Sequence, residues 1–477
     1  MTMRKWLNSL FPFLKACLNS DFMKKLLFLL VCIIPLYGFS NISLPKIFGD
    51  NMVLQRNTEV SLWGWAKPGE NIKIKLSWNS DNFETMPDNS GFWKIMVPTS
   101  DAKGSQTIEI HGYNTVKLEN VLLGEVWLVS GQSNMEWSSG AGIDGGEEAI
   151  KNAENDQIRF FTVNHRTAGC PQNDLDGQWV SSTPETMKNF SAIGYFFAQK
   201  MNEELNVPVG LVNATWGGTP AEPWIPAKMI KKDSILNKAA AMLPDTQWGP
   251  NKPGSIYNAM IAPFTSYTLS GILWYQGESN TPNADYYHEI FTTLIKSWRE
   301  TFGKDLPFYF AQIAPFSYET AYSGVKIRDA QRRALELEKT GMIMTSDIGN
   351  TENIHPKNKK EAGYRFARLV LADKFGKKLP AYAPQFSNAS LEGKKVIISF
   401  NHAGGLYVSN DKKTQFEIAG ENRDFQPATF RIKGDNIILN SPVKKPMYIR
   451  FSWRNTSTSN IFNNAGLPLS SFSEKLE

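Results

Sequence analysis

Residues 128–137 read "LVSGQSNMEW": an apolar run typical of the end of a buried strand stops at Gly131 and gives way to Gln132, Ser133 and Asn134. An ordinary turn would account for these residues. So would a serine held at the mouth of a sheet to do chemistry. The surrounding texture bears on the choice. Between about 119 and 378 the apolar runs "VWLVS", "IRFFTV", "VGLVNATW", "GILWYQGE", "PFYFAQIAP" and "GMIMTSDIG" alternate with longer amphipathic stretches, the pattern of a parallel sheet covered by helices. In "FSAIGYFFAQKMNEEL", Ile193, Phe196, Phe197 and Met201 fall on one helical face. In such a sheet, reactive groups sit in the loops leaving the carboxyl ends of the strands, and Ser133 lies in the first of these loops.

Outward from this core the texture changes. Residues 42–118 carry short alternating runs, "EVSLWGWAKPGENIKIKLSW" and "QTIEIHG" among them, broken by Pro-Gly and Asn-Ser-Gly turns. From 379 the alternation returns in "KKVIISF", "QFEIAG" and "MYIRFSW". The fold expected is therefore α/β, a parallel sheet with β domains on both sides: 41–118, a central domain over 119–378, and 379–477. A chain of 477 residues, 42% hydrophobic and 20% charged, has the size and composition for several globular domains.

The first forty residues form a separate unit. Lys24-Lys25 followed by "LLFLLVCIIPLYGFS" has the basic start, short apolar stretch and small closing residues of an export signal, and Met23 is itself a good start, so 1–22 reads as an untranslated extension. The protein is expected to be periplasmic or secreted, with no membrane span once 1–40 is removed. Loss of this segment takes away five positive charges and one negative, so 51 against 46 becomes 46 against 45. That near-neutral balance lacks the basic footprint of a nucleic-acid binder. Cys170 is then the sole cysteine, which excludes an internal disulfide and a cysteine-built metal site.

A serine nucleophile needs a base, and of the five histidines His355 stands in the loop after the last apolar run, within "NTENIHPKNKKEAGYRFARLVL". Pro356 is expected to be the first residue of the following helix, whose positive end would keep the imidazole neutral. Glu352, Asp347 and Asn353 are the candidates to orient the ring. His165, after the second apolar run, is a further candidate to line the same crevice, but nothing near it in sequence would orient it. In "NATWGGTPAEPW" the paired glycines Gly217 and Gly218 allow close backbone approach and leave an N–H for developing negative charge. "WYQGESN" supplies Gln276, an amide donor, and Glu278, a buried anchor or second acid. Trp137, Trp216, Trp224 and Trp274 flank these motifs as sugar-stacking candidates, Trp224 foremost.

Together "GQSNMEW", "NATWGGTP", "WYQGESN" and "NIHPKNKKEAGYR", with "NMVLQR", "SLWGWAKPG" and the closing "IRFSWRNTSTSNIFNNAGLP", resemble the sialate O-acetylesterase family, a branch of the SGNH hydrolases. The resemblance spans nearly the whole chain beyond residue 40. It implies a flavodoxin-like SGNH hydrolase core, no metal or other cofactor, and removal of acetyl esters from sugars. By motif, Ser133 is the nucleophile and its N–H an oxyanion donor, Gly217 or Gly218 a second donor, Gln276 a third, and His355 the base. Glu352 stands where the family usually has the aspartate of Asp-x-x-His. Asn134 and Trp224 are the residues expected at the substrate, an O-acetylated sugar or glycan. Sialic acid, xylan and xyloglucan are all open as the acetylated sugar. The rivals are a glycosidase using Glu278 and Asp347, and a noncatalytic carbohydrate-binding protein.

Overall fold

The apolar run that ends at Gly131 is the spine of the molecule. A computed structural model describes residues 41–303, 306–409, 411 and 413–476, so the expected export segment lies outside the described residues. The N-terminal strands are β1 (Val53–Gln55), β2 (Glu59–Trp65), β3 (Ile72–Leu76), β4 (Asn79–Thr85), β5 (Phe92–Pro98) and β6 (Gln106–His111). They lead into β7 (Thr115–Gly131), whose first half pairs antiparallel with β6. Its second half runs on, without a break at 118, as the middle strand of the central sheet.

That sheet continues with β8 (Asn155–Thr162), β9 (Trp179–Ser182), β10 (Val209–Thr215), β11 (Gly271–Tyr275), β12 (Phe308–Ala311) and β13 (Thr340–Ile343). The spatial order is β13-β12-β11-β7-β10-β8-β9, and every neighbouring pair is parallel except the edge pair β8–β9. Central strands of a parallel sheet are covered on both faces, which is why residues 121–131 are buried without alternation. The covering helices are α1 (Ser133–Glu136), α2 (Ala192–Leu205), α3 (Tyr287–Thr301), α4 (Ser323–Arg333) and α5 (Lys359–Phe375). On one face Trp127 meets Phe197 of α2 edge-on. On the other, Trp274 meets Trp298 of α3 in the same way. Helices α2 and α5 approach closely because Gly363 has no side chain, and a Cβ there would sit 2.7 Å from the Ile193 carbonyl oxygen.

Register sets the site. Gly131 of β7 is level with Thr215 of β10 and Tyr275 of β11, so three carboxyl ends finish on one rung and their loops converge.

Both flanking β regions are anchored to this core. Glu125 of β7 is almost fully buried, yet its carboxylate takes Arg56 at 2.9 Å, Gln55 at 3.1 Å and Ser270 at 2.6 Å. These bonds outweigh the burial and hold its pKa below the ordinary carboxylate value. C-terminal to the central domain, two four-stranded antiparallel sheets enclose a separate core that includes Val396, Ile398, Phe416 and Phe451. Arg328 of α4, fully buried, fastens this region by donating to the carbonyls of Asn455 and Arg454.

Candidate active site

The chain must turn sharply after β7, and Gly131 permits it. Its φ is +130°, and a Cβ there would lie 2.2 Å from the Tyr275 carbonyl oxygen, which accepts the Gln132 N–H at 3.0 Å. Each polar residue that follows has a separate task. The Gln132 side-chain oxygen accepts the N–H groups of Gly277 and Ser279, both at 3.3 Å. Ser133 opens the single turn of α1, and its Oγ lies 2.9 Å from His355 Nε2 across 222 residues of sequence. Trp137 stacks on the imidazole with ring centroids 4.5 Å apart and planes inclined by 20°. Ser191, the N-cap of α2, donates to the Met135 carbonyl at 2.6 Å and pins the turn from outside.

His355 sits in an Asn-ordered loop: Asn350 Oδ1 accepts the N–H groups of Glu352 and Asn353, and Asn353 Oδ1 accepts the N–H of His355 at 2.9 Å. Helix α5 begins at Lys359, capped by Asn358, so Pro356 is not its first residue. The helix therefore starts too late to act on the ring as expected. Burial is what lowers the His355 pKa below the ordinary value, with the Lys359 charge as a second cause.

The orienting candidates fare unequally. Asp347 is committed to Arg365 through two bonds of 2.7 and 2.6 Å, and Asn353 holds the loop backbone rather than the ring. Glu352 is exposed, and among the described residues its carboxylate makes no hydrogen bond to the imidazole.

Four further expectations are corrected by burial or by a hydrogen bond already made. Gln276 is fully buried and donates to the Thr219 carbonyl at 3.3 Å and Asn280 Oδ1 at 2.8 Å, so its amide braces two loops and is not turned to Ser133. The Gly217 N–H is taken at 2.7 Å by Glu136 Oε2. Asn134 is fully buried, with its amide donating to Glu278 Oε1 and the Ile354 carbonyl. Trp224 is fully buried too, edge-on to the buried Trp274, with its indole N–H on Thr219 Oγ1, so neither tryptophan reaches a ligand. The backbone N–H groups of Ser133 and Gly218 have no partner among the described residues. Gly217 abuts the serine: a Cβ there would be 3.3 Å from Ser133 Cβ.

Two features escaped the sequence. Glu136 bridges Gly217 and His165, whose Nε2 lies 2.8 Å from Glu136 Oε1, and His165 stacks on Trp216 at 4.4 Å with planes only 3° apart. The hydrogen bond to Glu136 raises the His165 pKa. The orienting acid absent from the neighbourhood of His165 in sequence thus comes from the serine turn. The second is Trp248, 71% exposed, whose Cβ would be 2.5 Å from a Cβ on Gly218. A lone tryptophan before Gly249-Pro250 was its only sequence signal.

The family described as carbohydrate esterase, sialic acid-specific acetylesterase, matches residues 123–372, more than half of the chain. The chain belongs to this family. It is a carboxylic ester hydrolase that removes O-acetyl groups from carbohydrates. The esterase is 33% identical to a carbohydrate acetylesterase from Xanthomonas citri, whose crystal structure superposes with a TM-score of 0.81 over 91% of this chain and 99% of that one. Human sialate O-acetylesterase is 28% identical over 411 residues, 78% of each chain. The Mus musculus sialate O-acetylesterase is 25% identical over 474 residues, 84% of this chain and 87% of the other. Among the described residues of the esterase, no helix is long and apolar enough to cross a membrane.

Proposed function

We propose that the esterase is an exported sialate O-acetylesterase with a flavodoxin-like SGNH core, in which Ser133 is the nucleophile and His355 its base. The 2.9 Å contact between a serine hydroxyl and an imidazole from opposite ends of the domain carries the proposal. The run β10-β7-β11-β12-β13 supports the fold assignment, since the first strand of the domain lies between the later ones as in a flavodoxin-type sheet.

In the proposed cycle, Ser133 Oγ attacks the acetyl carbonyl carbon while His355 Nε2 takes the hydroxyl proton. The tetrahedral oxyanion is held by the free N–H groups of Ser133 and Gly218. Collapse breaks the bond to the sugar oxygen, which leaves as a hydroxyl with the proton from His355. Water then attacks the acetyl-serine, His355 takes its proton, and acetate departs as Ser133 is restored. The indole face of Trp137 stabilises the imidazolium formed in each half. Glu352 completes the trio when its exposed side chain turns inward to the ring.

Because burial and the Lys359 charge lower the His355 pKa, the base is unprotonated at neutral pH, and activity falls only as pH drops below the ordinary histidine value of about 6.5. A kcat/KM profile with its acid limb above that value would contradict the base assignment. The stacked His165–Trp216 pair and Trp248 form the walls against which the sugar packs. Trp248→Ala is expected to raise KM for an acetylated sugar about tenfold while leaving p-nitrophenyl acetate hydrolysis near wild type, since the small ester has no ring to stack. Equal loss on both substrates would remove Trp248 from the sugar site.

Acetate release measured across 9-O-acetylated sialic acid, acetylated xylan and acetylated xyloglucan tests the substrate. Fastest release from the sialic acid is expected. Release from xylan alone would overturn the sialate assignment.

A further inference from the structure

Behind Ser133 and His355 lies a buried polar cluster with no part in the proposed proton transfers. Lys359, the first residue of α5, is only 1% exposed, and its Nζ donates to Asn134 Oδ1 at 2.7 Å and to the Asn134 carbonyl at 3.2 Å. The Asn134 amide in turn donates to Glu278 Oε1 at 2.6 Å and to the carbonyl of Ile354, one residue before His355, at 2.9 Å. One lysine thus ties the serine turn, the loop after β11 and the histidine loop together. Its ammonium lies 5.6 Å from the ring centre of Trp137, the indole stacked on His355, and 5.9 Å from that of Tyr275. Burying an ammonium is costly, and a residue that only began a helix would keep its charge in water.

We propose that Lys359 is a positioning residue of the esterase: through Asn134 it locks the serine turn against the histidine loop, and it sets its ammonium against the indole that stacks on the base. The second half rests on the assignment of His355 as base. Glu278 and Tyr275 face Lys359 from the end of β11, and His355 faces it from the preceding loop. Burial pushes the Lys359 pKa down to about 7, and Glu278 only partly offsets it. The lysine is therefore charged through the acid limb, where His355 titrates below its ordinary value. Removing that charge must raise the His355 pKa.

The test is the pH profile of kcat/KM on p-nitrophenyl acetate for wild type, Lys359→Met, Lys359→Gln and Lys359→Arg, with thermal unfolding as the folding control. Lys359→Met is expected to lose kcat about tenfold or more with KM within about twofold, and its acid limb should move up by about one pH unit. Lys359→Gln, which keeps one donor and no charge, should show the same shift with a smaller loss of kcat. Lys359→Arg should bring the limb back towards wild type. If Lys359→Met does not fold, the limb of Lys359→Gln decides. A Lys359→Gln limb coincident with wild type overturns the proposal. Ser133→Ala run alongside separates the two failures: an active Ser133→Ala overturns the nucleophile assignment, whereas an inactive one beside an unshifted Lys359→Gln limb overturns this proposal alone.

Discussion

Ser133→Ala is expected to abolish acetate release, with kcat down by about 10⁴-fold or more, because no acyl intermediate can form without the hydroxyl. His355→Ala should cost a similar factor, since a serine with no base beside it is a poor nucleophile. The pair act as one unit, so the double variant should be scarcely slower than either single one. What survives comes from the backbone donors, which substitution leaves in place, and losing one of those alone costs roughly 3 kcal/mol. Acetate release and labelling by a serine-directed phosphonate provide the measurements. Either a Ser133→Ala enzyme at wild-type rate, or phosphonate found on another residue, rules out the mechanism. Multiplicative losses in the double variant would mean that the two side chains do not work together.

Gly131→Ala should be nearly as damaging by another route. The added Cβ would lie 2.2 Å from the Tyr275 carbonyl oxygen, on backbone at φ +130° that an L side chain rarely adopts. Neither strand can retreat, because both are central and buried. A loss of about 3 kcal/mol or more is expected, together with displacement of the serine turn and loss of activity. Gly142→Ala is the control: φ is again positive, at +82°, but no atom lies within 4 Å of the added carbon. Only the backbone strain remains there, about 1 kcal/mol. Urea unfolding of the two variants makes the comparison, and equal losses would mean that the contact with Tyr275 is not what requires glycine.

Strand runs such as "VWLVS" and "GILWYQGE" were legible because burial on both faces leaves an uninterrupted apolar signature. The His355 contact followed by elimination among five histidines, combined with the rule for strand ends. Other site residues misled for a common physical reason. Asn134 and Gln276 carry the polarity expected of a substrate pocket, but loops leaving a buried sheet need polar side chains to satisfy their own backbone, and these two point inward to do that, while Glu278 is the buried anchor that the sequence allowed. Trp224 follows the glycine loop and sits between Pro223 and Pro226, yet Pro223 belongs to a packed 3₁₀ turn, Glu222–Trp224, that buries the ring. The bridge from Glu136 to His165 joins residues from different strand ends, a relation that no local pattern encodes. Trp248 stands outside every motif. Its place beside the site comes only from where the Gly218 turn brings it.

The continuity of β7 sets where the chain tolerates being cut. A shortened enzyme starting at 119 would keep the nucleophile and every loop of the site, yet it would take Gln55 and Arg56 away from Glu125. That carboxylate would remain inside the sheet without its guanidinium, a far heavier penalty than the loss of an independent module. The segment around Gln55 and Arg56 thus supplies the nearest counter-charge to an internal carboxylate of the hydrolase, with Lys374 farther off at 3.8 Å, and a minimal active version is expected to need it.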